Sequence, residues 1–217
     1  MADGHDFGGG YDSSHCLSTR RAPDGGRLAS RRACRLKRIP ASARNVQPWK
    51  NGLGVTEVIA AEHDEAGEEL WRISVATISQ NGPFSSYPGV SRLLMPLDVD
   101  GLNLSIDGVE RRVSQYEVVA FEGEASVEVV GVRSAIRDLN AMARRVDHSI
   151  TLQDVRFVDA KWIQAEANQQ VVLVNLLRPV TCSGVELEYG DAVSLQGGEG
   201  VEMRGLGRLG VLTVSKR

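Results

Sequence analysis

The 217-residue chain is short of the side chains on which most recognisable chemistry depends. It has three cysteines and four histidines, and aromatics make up only 5% of it. An odd cysteine set without close spacing describes neither a disulfide framework nor a zinc ribbon, so reduced, cytoplasmic cysteines are the expectation. No His-x-His or His-x-x-x-His spacing joins His5, His15, His63 and His148, so a histidine-rich metal site has no local nucleus. His63 lies in an acidic loop beside Glu62, Asp64 and Glu65, and Cys182 has no histidine near it in sequence. There is no Gly-x-Ser-x-Gly elbow, no P-loop and no dinucleotide-binding glycine fingerprint after a strand. No apolar run approaches the roughly 18 residues of a membrane span. The opening residues also lack the apolar region of a secretory signal. A soluble chain that neither crosses a membrane nor carries a resident cofactor is expected.

Cationic surface is scarce as well. The chain carries 25 Lys+Arg and 28 Asp+Glu, a net charge of -3. Eight basic and four acidic residues fall within residues 1–40, and the remaining 17 basic and 24 acidic residues leave -7 on the body. An acidic body is a poor match for a phosphate backbone, and no helix-turn-helix pattern accompanies the arginines of the tail. Nucleic acid is therefore not expected as a partner. Residues 1–33 are rich in Gly, Ser, Asp and paired Arg with almost no apolar spacing, a composition expected to stay disordered.

What is present is a succession of short Val-, Ile- and Leu-rich runs broken by Gly-Pro, Pro-Gly, Asp-Gly and Gly-Asp. Val55–Ala61, Leu70–Ile78, Val90–Val99, Leu102–Ile106, Tyr116–Phe121 and Val127–Val132 read as strands. Ile150–Val158, Gln170–Leu177, Val185–Tyr189, Asp191–Leu195 and Gly210–Ser215 follow. The single helical reading inside the body is Asp159–Gln169. Strands at roughly 8–12 residue spacing point to an all-β sandwich or barrel. So many strands exceed one small barrel. Two stacked β-barrels are expected, a first over residues 34–148 and a smaller, glycine-rich second over residues 149–217.

The densest polar constellation lies between Trp49 and Arg145. Trp49-Lys50-Asn51-Gly52-Leu53-Gly54-Val55-Thr56 is a turn leading into a strand. In Trp71-Arg72-Ile73-Ser74-Val75-Ala76, alternation puts Trp71, Ile73 and Val75 on one face and Arg72, Ser74 and Ala76 on the other. Gly82–Gly89 is a constrained loop leading to Arg92, and Asp138, Asn140 and Met142 share a face if extended. A guanidinium inside a barrel needs paired acceptors, and its fork of donors suits a carboxylate. Pairing with Asp138, or plain exposure, would account for the same arginine. Trp49, Trp71 and Phe84 read as core or pocket walls rather than as stacking platforms.

These segments, with Tyr87-Pro88-Gly89 and Asp138-x-Asn140-x-Met142-x-Arg144, resemble the HutD/Ves family in order and spacing over roughly residues 35–145, and more weakly to the end. The resemblance implies an RmlC-like cupin fold, bicupin-like, with two stacked barrels in one chain. It implies a small-molecule (carboxylate) binding protein, regulatory in histidine utilisation or, in the Ves branch, in a stress response. The implied ligand resembles urocanate or N-formylglutamate, and a homodimer is left open. The His-x-His and Glu set of metal-using cupins is missing, so neither metal nor cofactor is expected.

On this reading Lys50 and Arg72 neutralise the ligand, Asn51, Thr56, Ser74 and Asn140 orient it, and Arg92 is a further ligand-binding residue. Trp49, Trp71 and Phe84 wall the pocket, and Asp138 supports an arginine. The family's usual acidic positions are held by Val58 and Ser91, and Leu53 and Leu139 also depart from its pattern. Loss of two carboxylates implies a more cationic pocket and a ligand that differs from that of the histidine-pathway members. The alternative is a metal-independent cupin enzyme, an isomerase, epimerase or hydrolase, with Lys50 or Asp138 moving a proton.

Overall fold

The computed structural model describes residues 37–49 and 52–217. The expected tail over 1–33, with Lys50, Asn51, Cys16 and Cys34, lies outside the described residues. Among those described there are nineteen strands, one 3-10 turn at Ala41–Ala43 and no α-helix. No helix among them is long and apolar enough to cross a membrane.

The strands form two large sheets and two small ones. A six-stranded sheet runs Val46–Pro48, Gly54–His63, Glu69–Ile78, Ile136–Arg144, Val90–Pro96, Val119–Glu122 in hydrogen-bonded order. Facing it is a four-stranded sheet of Gly82–Pro83, Val127–Val130, Leu102–Ile106 and Val109–Val113. The second half repeats the plan. A five-stranded sheet of Lys37–Ile39, Ala192–Leu195, Gln169–Asn175, Gly207–Lys216 and His148–Phe157 faces a small sheet of Ala160–Gln164, Gly200–Arg204, Val180–Cys182 and Val185–Leu187. The chain passes from one large sheet to the other between Arg144 and His148. Lys37–Ile39 returns to the second half by pairing with Ala192–Ser194. There Arg38 Nη2 donates to Asp191 Oδ2 at 2.6 Å.

Alternation along the strands distributes side chains between the layers. The two large sheets pack on each other through Trp71, Ile73, Leu139, Val172, Val174 and Leu212. On the other side of the five-stranded sheet, Val171, Leu173, Val193, Leu195, Leu209 and Val211 fill the second half against Val201 and Met203. Strands such as Gln169–Asn175 are buried on both faces, hence the near-continuous apolar run. In the first half the corresponding space is apolar only in part, around Ile78, Leu94, Leu104, Val119, Val127 and Val129.

Asp159–Gln169 is not helical. Asp159 takes a positive φ of 66° and turns the chain so that Ala160–Gln164 pairs with Gly200–Arg204. Val158, Trp162 and Ile163 have helix-like spacing. Their environment is the edge strand of the small sheet, where half-buried Ile163 packs on the second-half core and Trp162 remains partly exposed.

Candidate functional site

The interior face of the six-stranded sheet carries three rows of side chains set by register. Thr56, Ala76 and Asp138 lie across one row, and Val58, Ser74 and Asn140 across the next. Arg72, Met142 and Arg92 form the third. A β-bulge between Val58 and Ala60 separates the first two rows from the third on the Gly54–His63 strand. Between this face and the loops above it lies a cavity of about 460 Å³. Its size falls in the range of small-ligand pockets.

Thr56, Arg72, Ser74, Arg92, Asp138 and Asn140 all line this cavity, as do Trp49 and Phe84. Trp71 does not. Its strand parity sends it to the opposite face, where it is 2% exposed between the two large sheets and donates from Nε1 to Glu62 Oε2 at 2.7 Å. The expectation of Trp71 as a pocket wall is therefore corrected by the alternation that places Arg72 and Ser74 inside. Thr56 is committed in part, because its Oγ1 accepts from Trp49 Nε1 at 2.7 Å. That bond holds the indole as a wall. Gly54 permits it, since a Cβ there would lie 3.2 Å from the Trp49 ring and 2.5 Å from the Thr77 carbonyl.

Arg92 is the most unusual member. It is 8% exposed, yet among the described residues no carboxylate pairs with it. Its Nη1 donates to the Ser85 carbonyl at 3.2 Å and its Nε has no acceptor. The guanidinium carbon instead lies 5.0 Å from the ring centroids of both Phe84 and Phe121, and 5.6 Å from Tyr87. Aromatic faces attract a cation but do not satisfy its hydrogens. Burial lowers its pKa from the usual arginine value, opposed by Tyr87 and Asp138. Arg72, two strands away, is tied to Glu69 at 3.1 Å and touches the Met142 sulfur at 3.4 Å, while its Nε also lacks an acceptor.

Asp138 is fully buried beneath this pair. Its Oδ1 accepts from Asn140 Nδ2 at 2.8 Å, and its Oδ2 has no partner among the described residues. Burial raises its pKa from 3.8 to about 7, against the opposing pull of Arg92 and the Asn140 bond. Loss of solvation outweighs the nearby charge because no cation is close enough to form an ion pair.

Tyr87, Ser85 and Met142 join the lining without having been assigned to it. Met142 was legible through its shared parity with Asp138 and Asn140. Tyr87 is held at the rim by its backbone N–H donating to the Gly123 carbonyl at 2.7 Å, a contact between distant segments. Of the two departures, Val58 shares the row of Ser74 and Asn140 on this face without lining the cavity, and Ser91, one residue before Arg92, pairs with Ala143 on the face turned away. Among the described residues no three His, Cys, Asp or Glu side chains cluster as a metal site.

The HutD family model matches residues 41–212. An uncharacterized 21.2 kDa protein in the hutC 3′ region of Pseudomonas putida is 39% identical over 95 residues, 43% of this chain and 50% of that protein. Protein Ves of Escherichia fergusonii is 32% identical over 101 residues, 46% of this chain and 53% of its own length. The chain thus matches about half the length of these relatives. The solved structure of HutD from Pseudomonas fluorescens SBW25, in a formate condition, superposes with a TM-score of 0.75 at 25% identity, covering 84% of this chain and 99% of that one. A cupin 2 conserved barrel domain protein from Leptotrichia buccalis, 8% identical over 76% of this chain and 89% of its own, shares the fold with a TM-score of 0.52. The two facing-sheet units are cupin-type barrels, stacked through their large sheets.

Proposed function

This chain belongs to the HutD family, and we propose that it binds a small carboxylate in the cavity of its first barrel and acts as a regulatory binding protein. The observation that carries this reading is Arg92, a buried guanidinium without a carboxylate partner among the described residues, facing a cavity of ligand size. A buried charge left without a counter-charge costs several kcal/mol. An anionic ligand that supplies two oxygens to the fork recovers that cost. Arg72 adds a second positive charge, and Ser74 and Asn140 offer neutral donors for orientation. Trp49, Phe84 and Tyr87 enclose the apolar part of the ligand.

The place of the Pseudomonas putida relative in the hutC 3′ region supports a role beside histidine utilisation. The resemblance to the Ves branch makes a stress-linked role the second possibility within the same function. Thermal-shift measurements with urocanate, N-formylglutamate and glutamate test the ligand class. Stabilisation by at least one of them, lost in Arg92→Met, is expected. Folded protein with no response to any of the three would overturn the reading.

Asp138 favours one alternative. A buried carboxyl that titrates near neutrality is suited to proton transfer, as in an isomerase, epimerase or hydrolase acting on a small acid. Turnover of a bound acid that disappears in Asp138→Asn while binding persists would establish the enzyme instead.

A further inference from the structure

Resting on the carboxylate-binding reading, we infer that Asp138 is itself a recognition group of the cavity. In its neutral form it donates a hydrogen bond from Oδ2 to the bound carboxylate, so that binding at alkaline pH takes up one proton from solvent.

The geometry leaves Asp138 no comparable role in the unliganded protein. Its side chain lies on the cavity face in mid-strand, beyond solvent, with Oδ1 occupied by the Asn140 amide and Oδ2 without a partner. It forms no ion pair with either arginine, and Arg92 acts on it only as a nearby charge. A carboxyl oxygen with no partner among the described residues and a guanidinium whose Nε has no acceptor face one cavity without meeting each other. An anion placed between them satisfies Arg92. It can satisfy Asp138 only if the carboxyl carries a proton, because two carboxylates in contact in a dry site repel. The internal bond from Asn140 fixes which oxygen takes the proton, since a hydrogen on Oδ1 would face the Asn140 amide hydrogens.

The charged and titratable groups facing Asp138 among the described residues are few. Arg92 approaches from the Val90–Pro96 strand, and Arg72, with its Glu69 partner, from the Glu69–Ile78 strand. Tyr87 stands at the rim, while Thr56 on the Gly54–His63 strand and Asn140 on its own strand are neutral. Burial holds the carboxyl neutral up to about pH 7, so the donor form is the ready form at and below neutrality. Above it, each complex must bring its own proton.

The test uses full-length protein and two acids that do not themselves titrate near neutrality, N-formylglutamate and benzoate. Calorimetric Kd values are measured from about pH 6 to about pH 9 in buffers of different ionisation heat, which reports the protons exchanged. The expected result is a nearly constant Kd below about pH 7, then a weakening that approaches tenfold per pH unit, with about one proton taken up per complex at the alkaline end. In Asp138→Asn, whose amide supplies a fixed donor, the profile flattens and proton uptake disappears. A wild-type Kd independent of pH with no proton uptake would overturn this inference and leave carboxylate binding intact. A pH dependence that persists in Asp138→Asn would also overturn it, by moving the proton elsewhere. Failure of both acids to bind at any pH would overturn the carboxylate reading and this inference with it. If Asp138→Asn does not fold, the wild-type proton count alone decides.

Discussion

The two barrels of this chain use one plan with opposite interiors. Each has a large sheet that shares a core with the other and a small sheet on its outer side. In the second barrel the space between them holds Leu173, Leu195, Met203 and Leu209, each 0% exposed. In the first, the matching face of the large sheet bears Arg72, Ser74, Arg92, Asp138 and Asn140 around a cavity. Leu173 and Ser74 both occupy mid-strand positions turned away from the shared core, so backbone architecture does not account for the difference. The second interior stabilises; the first gives up packing and buries charge, the arrangement on which the proposed ligand site rests.

Four substitutions bear on that contrast. The largest effect is expected from Asp138→Asn. The folded-state pKa of about 7 lies above the ordinary 3.8, so the folded protein holds a proton that the unfolded chain releases. Stability is therefore lost as pH rises through that window and stays low above it. At ~1.4 kcal/mol per pH unit the shift bounds the loss at ~4 kcal/mol. Asp138→Asn is expected to recover much of this at about pH 8 and little at about pH 4, as read by urea denaturation at the two pH values. A mutant no more stable than wild type at the higher pH would mean that the first interior bears no such charge cost.

Leu195→Ala in the second barrel is expected to cost ~3 kcal/mol in the same assay, the usual penalty for emptying a closed core, with Kd unchanged. A large change in Kd would show that the second barrel is more than a scaffold. Arg92→Met keeps the contacts with Phe84 and Phe121 but removes the charge. Calorimetry should show carboxylate affinity reduced about 100-fold, the loss expected for a buried charged hydrogen-bonding partner. The smallest effect belongs to Gly123→Ala. A Cβ there would lie 2.1 Å from the Tyr87 carbonyl and 2.9 Å from that of Val90, so the rim must shift. Kd should weaken roughly threefold to tenfold, or by about 1 kcal/mol, without loss of the cavity floor.

Much of this was legible in the sequence because strand parity is a local property. Trp71 to Ala76 alternates so regularly that Arg72 and Ser74 separate from Ile73 and Val75 without a structure, and the same parity joins Asp138, Asn140 and Met142. It also places Trp71 on the far side, although a motif that reads as one unit draws it toward the pocket. The family motifs brought Thr56, Phe84 and Arg92 to one site across large sequence separations. Strands with no pattern of their own were not legible. Gly82–Pro83 and Lys37–Ile39 exist because Val129 and Ser194 offer edges to pair with. Phe121 beside Arg92, and the raised pKa of Asp138, depend on register and burial contributed by distant strands, which no local window contains.

The most direct test of the contrast between the two interiors is a crystal structure of the full-length protein grown with N-formylglutamate. The expected result is a carboxylate of the acid within hydrogen-bonding distance of the Arg92 guanidinium and Asp138 Oδ2, with the second barrel's core unchanged. Ordered acid bound elsewhere on the chain while that cavity stays without it would contradict the account.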